Sequence, residues 1–356
     1  MGMATTTRTR TRPGTPPPGP ALAVVIVNFR GAADTIECLE SLLRSALPLK
    51  VVVVENGSGD GSTQMLLDWA AGRIEAQPES AQLRQFSTPP VRKPLGMAHI
   101  GPDQLGIGPI APLTLIESPD NLGFAGGNNL GLRHVLADRG VRHVWLLNND
   151  TVVMPEAAGA LLARMDATPN IGMCGTIVRQ YWRPEQLQAL NGYMFNKWTG
   201  AGVALGGNEA AGAQFDPLLI TDATDFVLGA SLAVSRAFVE DIGLMEESYF
   251  LYFEEIDWAT RNRKRAGMPF AIAFAHGATI FHKAGAAIGS PSAIAGRSPF
   301  SDYWMTRSRL RFIARHHRWL WPWHWLFTWI IVARRLIRRR WKNARAVVRA
   351  AFGRAP

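Results

Sequence analysis

Four short apolar runs constrain this chain more than anything else in it. ALAVVIV (21–27), KVVVV (50–54), LTLIE (113–117) and VWLL (144–147) are near-continuous stretches of β-branched and aliphatic residues. Such runs, without polar alternation, suit strands buried on both faces, the condition of a parallel sheet covered by helices. The residues between them supply those helices. In DTIECLESLL, Ile36, Leu39, Leu42 and Leu43 recur at helical spacing behind Asp34 as an N-cap, and a second helix begins at 62–69. Strand, helix and strand in that order make βαβ units, so the expected class is α/β with a mostly parallel sheet flanked by helices.

Further along, strands are expected over 171–178, 225–234 and 270–281, helices over 236–242 and 254–266, and Gly-rich hairpins or loops over 190–215. Segment 74–112 is rich in Pro, Gly and Gln and long for a connection inside a compact domain, so it reads as an insertion or a lid. The opening 1–20, rich in Thr, Pro and Arg, reads as a disordered tail, neither a secretory signal nor a span.

A net charge of +10 invites a nucleic-acid partner, but its placement argues against one. From 303 to 356 there are thirteen Arg, one Lys and no acid, so the remainder is slightly acidic. Seven of the twelve Trp fall between Trp304 and Trp341, and WLWPWHWLFTWIIVA (319–333) carries no charge. That run is short of the ~20 residues that cross a bilayer. Aromatic rings beside arginine clusters suit the headgroup zone, so 303–356 reads as a basic, Trp-rich amphipathic helical extension on an anionic membrane surface. A helix packed on the domain with a solvated basic face is the alternative. Cys38 and Cys174 fit neither a disulfide framework nor a zinc spacing. The expected setting is therefore cytoplasmic, peripheral at the inner face of the cell membrane.

In an open parallel sheet, ligands bind beyond the carboxyl ends of the strands. There this sequence repeatedly turns polar: Asn28, then Glu55 and Asn56, then Asp120 and Asn121, then Asn148, Asn149 and Asp150. Taken alone, NNDT reads as a turn, because Asn and Asp bond their own backbone. Taken as a set, these residues line one crevice. No GxGxxG follows the first strand and no GxxxxGK occurs, which argues against a dinucleotide and a P-loop. Carboxylates and Asn carbonyls are hard oxygen ligands of the kind Mg2+ or Mn2+ uses beside substrate phosphates. A nucleoside diphosphate carried on a divalent cation is the expected ligand.

ENGSGDGS (55–62), NLGFAGGNNLGL (121–132), LLNNDT (146–151), DFVLGA (225–230), FLYFEEIDW (250–258) and FHKAGA (281–286) resemble, in order and character, glycosyltransferase family 2. The bacterial rhamnosyltransferase group that extends surface polysaccharides is the nearest in character, over 23–317. The resemblance implies a GT-A fold over 21–302, followed by the extension. It implies that Asp150 ends a DXD-type motif and binds the metal, with Asn148 offering only a neutral oxygen at the first position. Glu55 stands where an acid contacts the nucleobase, and His282 where a histidine ligates the metal or holds the diphosphate. Glu255 maps onto the general base of an inverting transfer, with Glu254 and Asp257 as the other acids of that segment. Asn28, Asn56, Asn121, Gly126 and Asn149 fall in donor-binding segments. Asp225, Gly229, Glu254 and Arg307 fall on the acceptor or phosphate side, with Arg309 beside them.

The implied reaction moves a sugar from a nucleotide-diphospho-sugar, dTDP-rhamnose among the candidates, to a lipid-linked or polysaccharide acceptor in cell-surface glycan biosynthesis. Glu55, Asn148 and Glu255 depart from the family's usual residues. A sugar-nucleotide-binding or scaffold protein without turnover is therefore the alternative reading.

Overall fold

The computed structural model describes residues 21–284 and 297–355. The expected disordered tail and the end of FHKAGA lie outside the described residues. The strands are β1 (Leu22–Asn28), β2 (Lys50–Asn56), β3 (Met97–Ile100), β4 (Leu113–Ser118), β5 (His143–Asn148), β6 (Thr151–Val153), β7 (Ile171–Gln180), β8 (Leu187–Leu190), β9 (Gly192–Asn196), β10 (Ala201–Ala204), β11 (Phe226–Val227), β12 (Ser231–Ser235) and β13 (Ala271–His282). The helices are α1 (Ala32–Leu42), α2 (Ser62–Ala70), α3 (Gly123–Val135), α4 (Ala157–Asp166), α5 (Pro217–Ala223), α6 (Arg236–Ile242), α7 (Glu254–Arg263), α8 (Pro299–His316), α9 (Trp321–Ile337) and α10 (Trp341–Ala351).

Ten strands form one sheet in the order β3-β4-β2-β1-β5-β12-β7-β13-β6, with β8 on β7. The first five in that order run parallel, β12 is antiparallel to both neighbours, and β13 is again parallel to β7. This is the expected α/β class, with a mostly parallel sheet flanked by helices and a C-terminal helical extension. The apolar runs behave as their composition requires: Val51 to Val54 are wholly shielded from water. Each such side chain contributes about 1.5–3 kcal/mol on burial, so the central strands anchor whatever stands at their ends.

One face of the sheet is covered by α1, α2 and α4 through Ile36, Leu39, Leu66, Trp69, Leu161 and Met165. The other is covered by α3, α6, α7 and α8 through Leu132, Val135, Phe238, Trp258 and Phe312. Helix α3 lies unusually close to β1, because an added Cβ at Gly127 would come within 2.8 Å of Val27 and one at Gly131 within 2.3 Å of Val25.

Register gathers the polar strand ends. Asn28 pairs across from Glu55, and Val27 from Asn148. Strand β13 delivers His282 opposite Thr151, to the same edge.

Three expectations need correction. The strand expected over 225–234 is two, because Leu228 to Ala230 leave the sheet between β11, in a three-stranded side sheet with β9 and β10, and β12 in the main one. Segment 74–112 contains β3, which extends the main sheet beside β4. The division expected after 302 falls inside α8, whose Phe312 and Ile313 are buried in the main core. The extension proper is α9 and α10. Among the described residues, no helix is long and apolar enough to cross a membrane.

Candidate active site

A cavity of about 590 Å³ opens where β1, β2 and β5 end. At its wall Asp150 Oδ1 lies 3.1 Å from His282 Nε2, and both residues are buried. Asn148 Nδ2 is 3.2 Å from the same nitrogen. The other ring nitrogen of His282, Nδ1, is 3.0 Å from Gln188 Oε1. An amide oxygen only accepts, so Nδ1 is the donor, and in the neutral ring the Nε2 lone pair faces Asp150 and Asn148. Among the described residues no three His, Cys, Asp or Glu side chains gather into a metal site. The donor set here is one carboxylate and one imidazole, and a cation held by it would draw its remaining oxygens from ligand and water. That is how Mg2+ and Mn2+ bind beside phosphates, with the imidazole favouring Mn2+.

The asparagines of the strand ends shape this cavity through their own hydrogen bonds. Thr35 Oγ1 donates to Asn28 Oδ1 at 2.8 Å, and Asn149 Nδ2 donates to Thr35 Oγ1 at 3.1 Å. Asn56 Nδ2 donates to Asn121 Oδ1 at 3.2 Å and to the Gly123 carbonyl at 3.1 Å, while its own oxygen accepts from Leu122 N–H. Gly123 itself is forced: its φ is +72°, and an added Cβ would meet the Phe250 carbonyl oxygen at 2.2 Å.

Glu255 lies in a second cavity, of about 620 Å³, whose lining also includes Gly229, Tyr252 and Phe253. The two cavities are neighbours: Phe250, Leu251 and Ser298 line the first, while Tyr252, Phe253 and Arg297 line the second. The dividing segment is strained, with positive φ at Phe250 (66°), Tyr252 (69°) and Phe253 (75°). Non-glycine residues hold such angles at about 1–3 kcal/mol each, a cost usually met at functional sites. Burial raises the Glu255 carboxyl above its ordinary value, against the pull of backbone N–H groups, that of Gly229 among them.

The neighbouring acids differ. Glu254 is fully buried and pushed well up by burial and by the charge of Glu255, and it lines neither cavity. Asp257 is also buried, but His316 and Arg261 outweigh that burial and hold it below the ordinary carboxylate range. Its oxygens accept from Tyr249 Oη and Arg261 Nε and lie 2.6 Å from His316 Nε2, which makes it a structural hub.

Glu55 stands apart from Asp150. It lines a third, open cavity of about 760 Å³ with His99, Gln104 and Glu117, and its Oε1 accepts the Ser58 N–H at 3.0 Å. Five expected residues line none of these cavities, Asn28 and Glu254 among them. Gly126 sits within α3 facing Leu122 rather than in a ligand loop. Asp225 braces the side sheet by accepting the Phe195 N–H at 2.7 Å. Arg307 points toward Gly353, beyond the end of α10. Sequence reasoning passed over Arg30, which lines the first cavity, and Arg334 and Arg335 of α9 with Arg338 just beyond its end, which line the second. Arg30 directly follows the first strand's polar end and could have been read there; nothing local marks the α9 arginines.

Residues 110–224 match the model described as glycosyl transferase family 2. Over that stretch, about a third of its length, the chain is similar to glycosyltransferase family 2. Over 150 residues it is 29% identical to the low-salt glycan biosynthesis hexosyltransferase Agl10 of Haloferax volcanii, covering 42% of this chain and 46% of that one. The chain thus matches less than half the length of this curated relative. The solved mannosyltransferase PcManGT from Pyrobaculum calidifontis, in complex with GDP-Man and Mn2+, is 14% identical with a TM-score of 0.49, covering 96% of this chain and 90% of that one. GalNAc-T7 with UDP, GalNAc and Mn2+ is 10% identical with a TM-score of 0.49, covering 81% of this chain and 47% of that one.

Proposed function

We propose that this chain is an inverting glycosyltransferase that moves a hexosyl or deoxyhexosyl group from a nucleotide diphosphate to an acceptor hydroxyl presented at an anionic membrane surface. The observation that carries this reading is the pairing of Asp150 and His282, 3.1 Å apart at the strand ends, with the carboxylate Glu255 in the adjoining cavity. Asp150 and His282 would hold a divalent cation, Mn2+ or Mg2+, which when bound supplies positive charge against the donor's diphosphate. The nucleoside then lies toward Glu55, and Arg30 offers a second positive charge to the phosphates.

Glu255 takes the proton of the acceptor hydroxyl as that oxygen attacks the anomeric carbon opposite the leaving diphosphate. Its burial makes it a stronger base than a free glutamate, and the Gly229 N–H fixes one oxygen. Glu254, which lines neither cavity, and the fully engaged Asp257 are poor candidates for that role. Rhamnose as the sugar, and a lipid-linked or cell-surface glycan as the acceptor, follow from the rhamnosyltransferase-like motifs.

The extension supports a membrane setting. Trp323, Leu326, Ile330 and Ile337 expose apolar surface along one side of α9, beside a run of arginines. Such a stripe suits the lipid headgroup boundary, at the cytoplasmic face if the chain acts on a cytoplasmic donor.

The test is a panel of sugar nucleotides, screened with Mn2+ for thermal stabilisation and then for metal-dependent release of nucleoside diphosphate. Stabilisation and release by one donor are expected. Stabilisation without release from any donor and acceptor pair would favour a binding or scaffold protein instead.

A further inference from the structure

The strained segment 249–253 separates the two cavities and leads directly into Glu255. Phe250 and Leu251 line the first cavity, Tyr252 and Phe253 the second, and α7 starts on Phe253, which is in the left-handed conformation. Whatever fixes this segment therefore fixes where Glu255 stands relative to the donor cavity. Three non-glycine residues at positive φ do not hold that form unaided, so the surroundings must impose it.

Two helices grip the segment. From α3, the Phe124 N–H donates to the Phe250 carbonyl at 2.8 Å. From α8, Ser308 Oγ donates to the Leu251 carbonyl at 2.8 Å and to the Tyr249 carbonyl at 3.1 Å, one hydroxyl proton shared between two acceptors. Among the described residues no backbone N–H reaches either of those carbonyls. Trp304 and Phe312 stand one turn before and one turn after Ser308, on the same face of α8. The Trp304 ring stacks on Phe250 with centroids 4.5 Å apart, and Phe312 packs on Phe253 at 5.4 Å.

Serine inside a helix is a weaker helix former than alanine, and its hydroxyl commonly bonds back to the carbonyl four residues earlier. Thr328 of α9 behaves that way, donating to the His324 carbonyl at 2.8 Å. Ser308, only 1% exposed, instead spends its hydroxyl on another segment. Helix α8 can serve as a brace because it is itself held. Phe312 and Ile313 lie in the main core, Arg309 Nη2 donates to Thr328 Oγ1 at 2.8 Å, and Asp302 accepts from Arg335 Nε of α9 at 2.7 Å.

We propose that Ser308 is a positioning residue for glycosyl transfer: by bonding the Tyr249 and Leu251 carbonyls it holds segment 249–253 in its strained form and so sets Glu255 against the donor cavity. Ser308 lines neither cavity and acts only through the segment. Without its hydroxyl, two carbonyls lose their donor and the strain has one restraint fewer. The inference rests on the glycosyl-transfer reading.

Ser308→Ala, Ser308→Thr and Tyr303→Phe test it in the full chain. Tyr303→Phe is the control, since it deletes another hydroxyl of α8 whose partner is the Arg354 carbonyl and not the segment. The assay is Mn2+-dependent hydrolysis of UDP-glucose, GDP-mannose and dTDP-rhamnose, followed on whichever the native chain cleaves fastest. Ser308→Ala should lower kcat at least about tenfold with donor KM within about twofold of native, because a misplacement near 1 Å costs about 10²-fold. Tyr303→Phe, and Ser308→Thr with its hydroxyl kept, should stay within about threefold of native. Amide hydrogen exchange reads the segment without any substrate. The Phe124 N–H, bonded to the Phe250 carbonyl, and the Asp257 N–H, bonded to the Phe253 carbonyl at 2.9 Å, should exchange at least about tenfold faster in Ser308→Ala alone.

A folded Ser308→Ala protein with native kcat, or with its loss in donor KM instead, would overturn the positioning role. An equal fall in Tyr303→Phe would overturn it too, as a general loosening of α8, and an equal fall in folded Ser308→Thr would reject the hydroxyl as the cause. If the native chain cleaves none of the three donors, that counts against the transfer reading only, and exchange then decides the brace. Acceleration confined to Ser308→Ala upholds it, and unchanged exchange refutes it.

Discussion

Replacing Gly229 by alanine is a small change aimed at one carboxylate. An added Cβ would stand 1.8 Å from Glu255 Oε1 and 2.8 Å from its Cδ, whereas ordinary contact begins at 3.4 Å. The carboxylate must therefore retreat by about 1.5 Å. Gly229 does not hold a positive φ, so alanine meets no backbone penalty and the fold should stay within about 1 kcal/mol of native. A misplacement near 1 Å costs about 10²-fold in a positioned reaction, and a general base contributes about 10²–10⁴-fold. The expected result is a fall in kcat of about 10²-fold, with donor affinity unchanged. The assay is release of nucleoside diphosphate under saturating Mn2+, donor and acceptor, with Glu255→Gln as the reference. Because burial raises Glu255, the native rate should fall as pH drops through a pKa above the ordinary glutamate value, where the base takes up its proton. A Gly229→Ala protein that is folded and works within about threefold of native would refute Glu255 as the base.

Two further perturbations test the scaffold and the extension. Lys283 Nζ lies 2.6 Å from Asp34, 3.1 Å from Glu37 and 3.0 Å from Glu79, with its side chain 4% exposed. Lys283→Met should cost about 3–5 kcal/mol at pH 7 by urea unfolding, since it strands buried charge. Burial already raises Asp34 and Glu37, and loss of the ammonium raises them further. The folded variant then binds protons that the unfolded chain does not, so its deficit should shrink as pH falls from 7 toward 5, and a pH-independent deficit would contradict this. On α9, Leu326 and Ile330 are 56% and 48% exposed, so replacing both with glutamine should leave the melting temperature unchanged. Binding to anionic liposomes should weaken about tenfold per residue, and unaltered binding would reject the membrane-facing stripe.

What the sequence made legible follows from the range of the forces involved. The central strands β1, β2, β4 and β5 are visible because burial on both faces demands uninterrupted apolar residues, and their polar ends are visible by contrast. The pairing of Asp150 with His282 was within reach because both end strands. Strands β3 and β6 are four and three residues long, too short for a pattern to emerge, and β6 exists only because β13 pairs with it. Helix α4, AAGALLARMD, is built largely of small residues that show weak periodicity. The break between β11 and β12 comes from Leu228 to Ala230 leaving the sheet toward the cavity of Glu255, which no local rule marks. Ser308 illustrates the opposite limit. Its segment drew attention, but its grip on the Tyr249 and Leu251 carbonyls depends on α8 and the strained segment meeting in space.

The most direct measurement is calorimetric titration of a sugar nucleotide into the native chain and into Asp150→Ala, each with and without Mn2+. Native protein should bind the donor at least about tenfold more tightly with Mn2+ present, and Asp150→Ala should lose that difference while remaining folded. Metal-dependent donor binding that survives in Asp150→Ala would contradict the placement of the cation, and with it the proposed site.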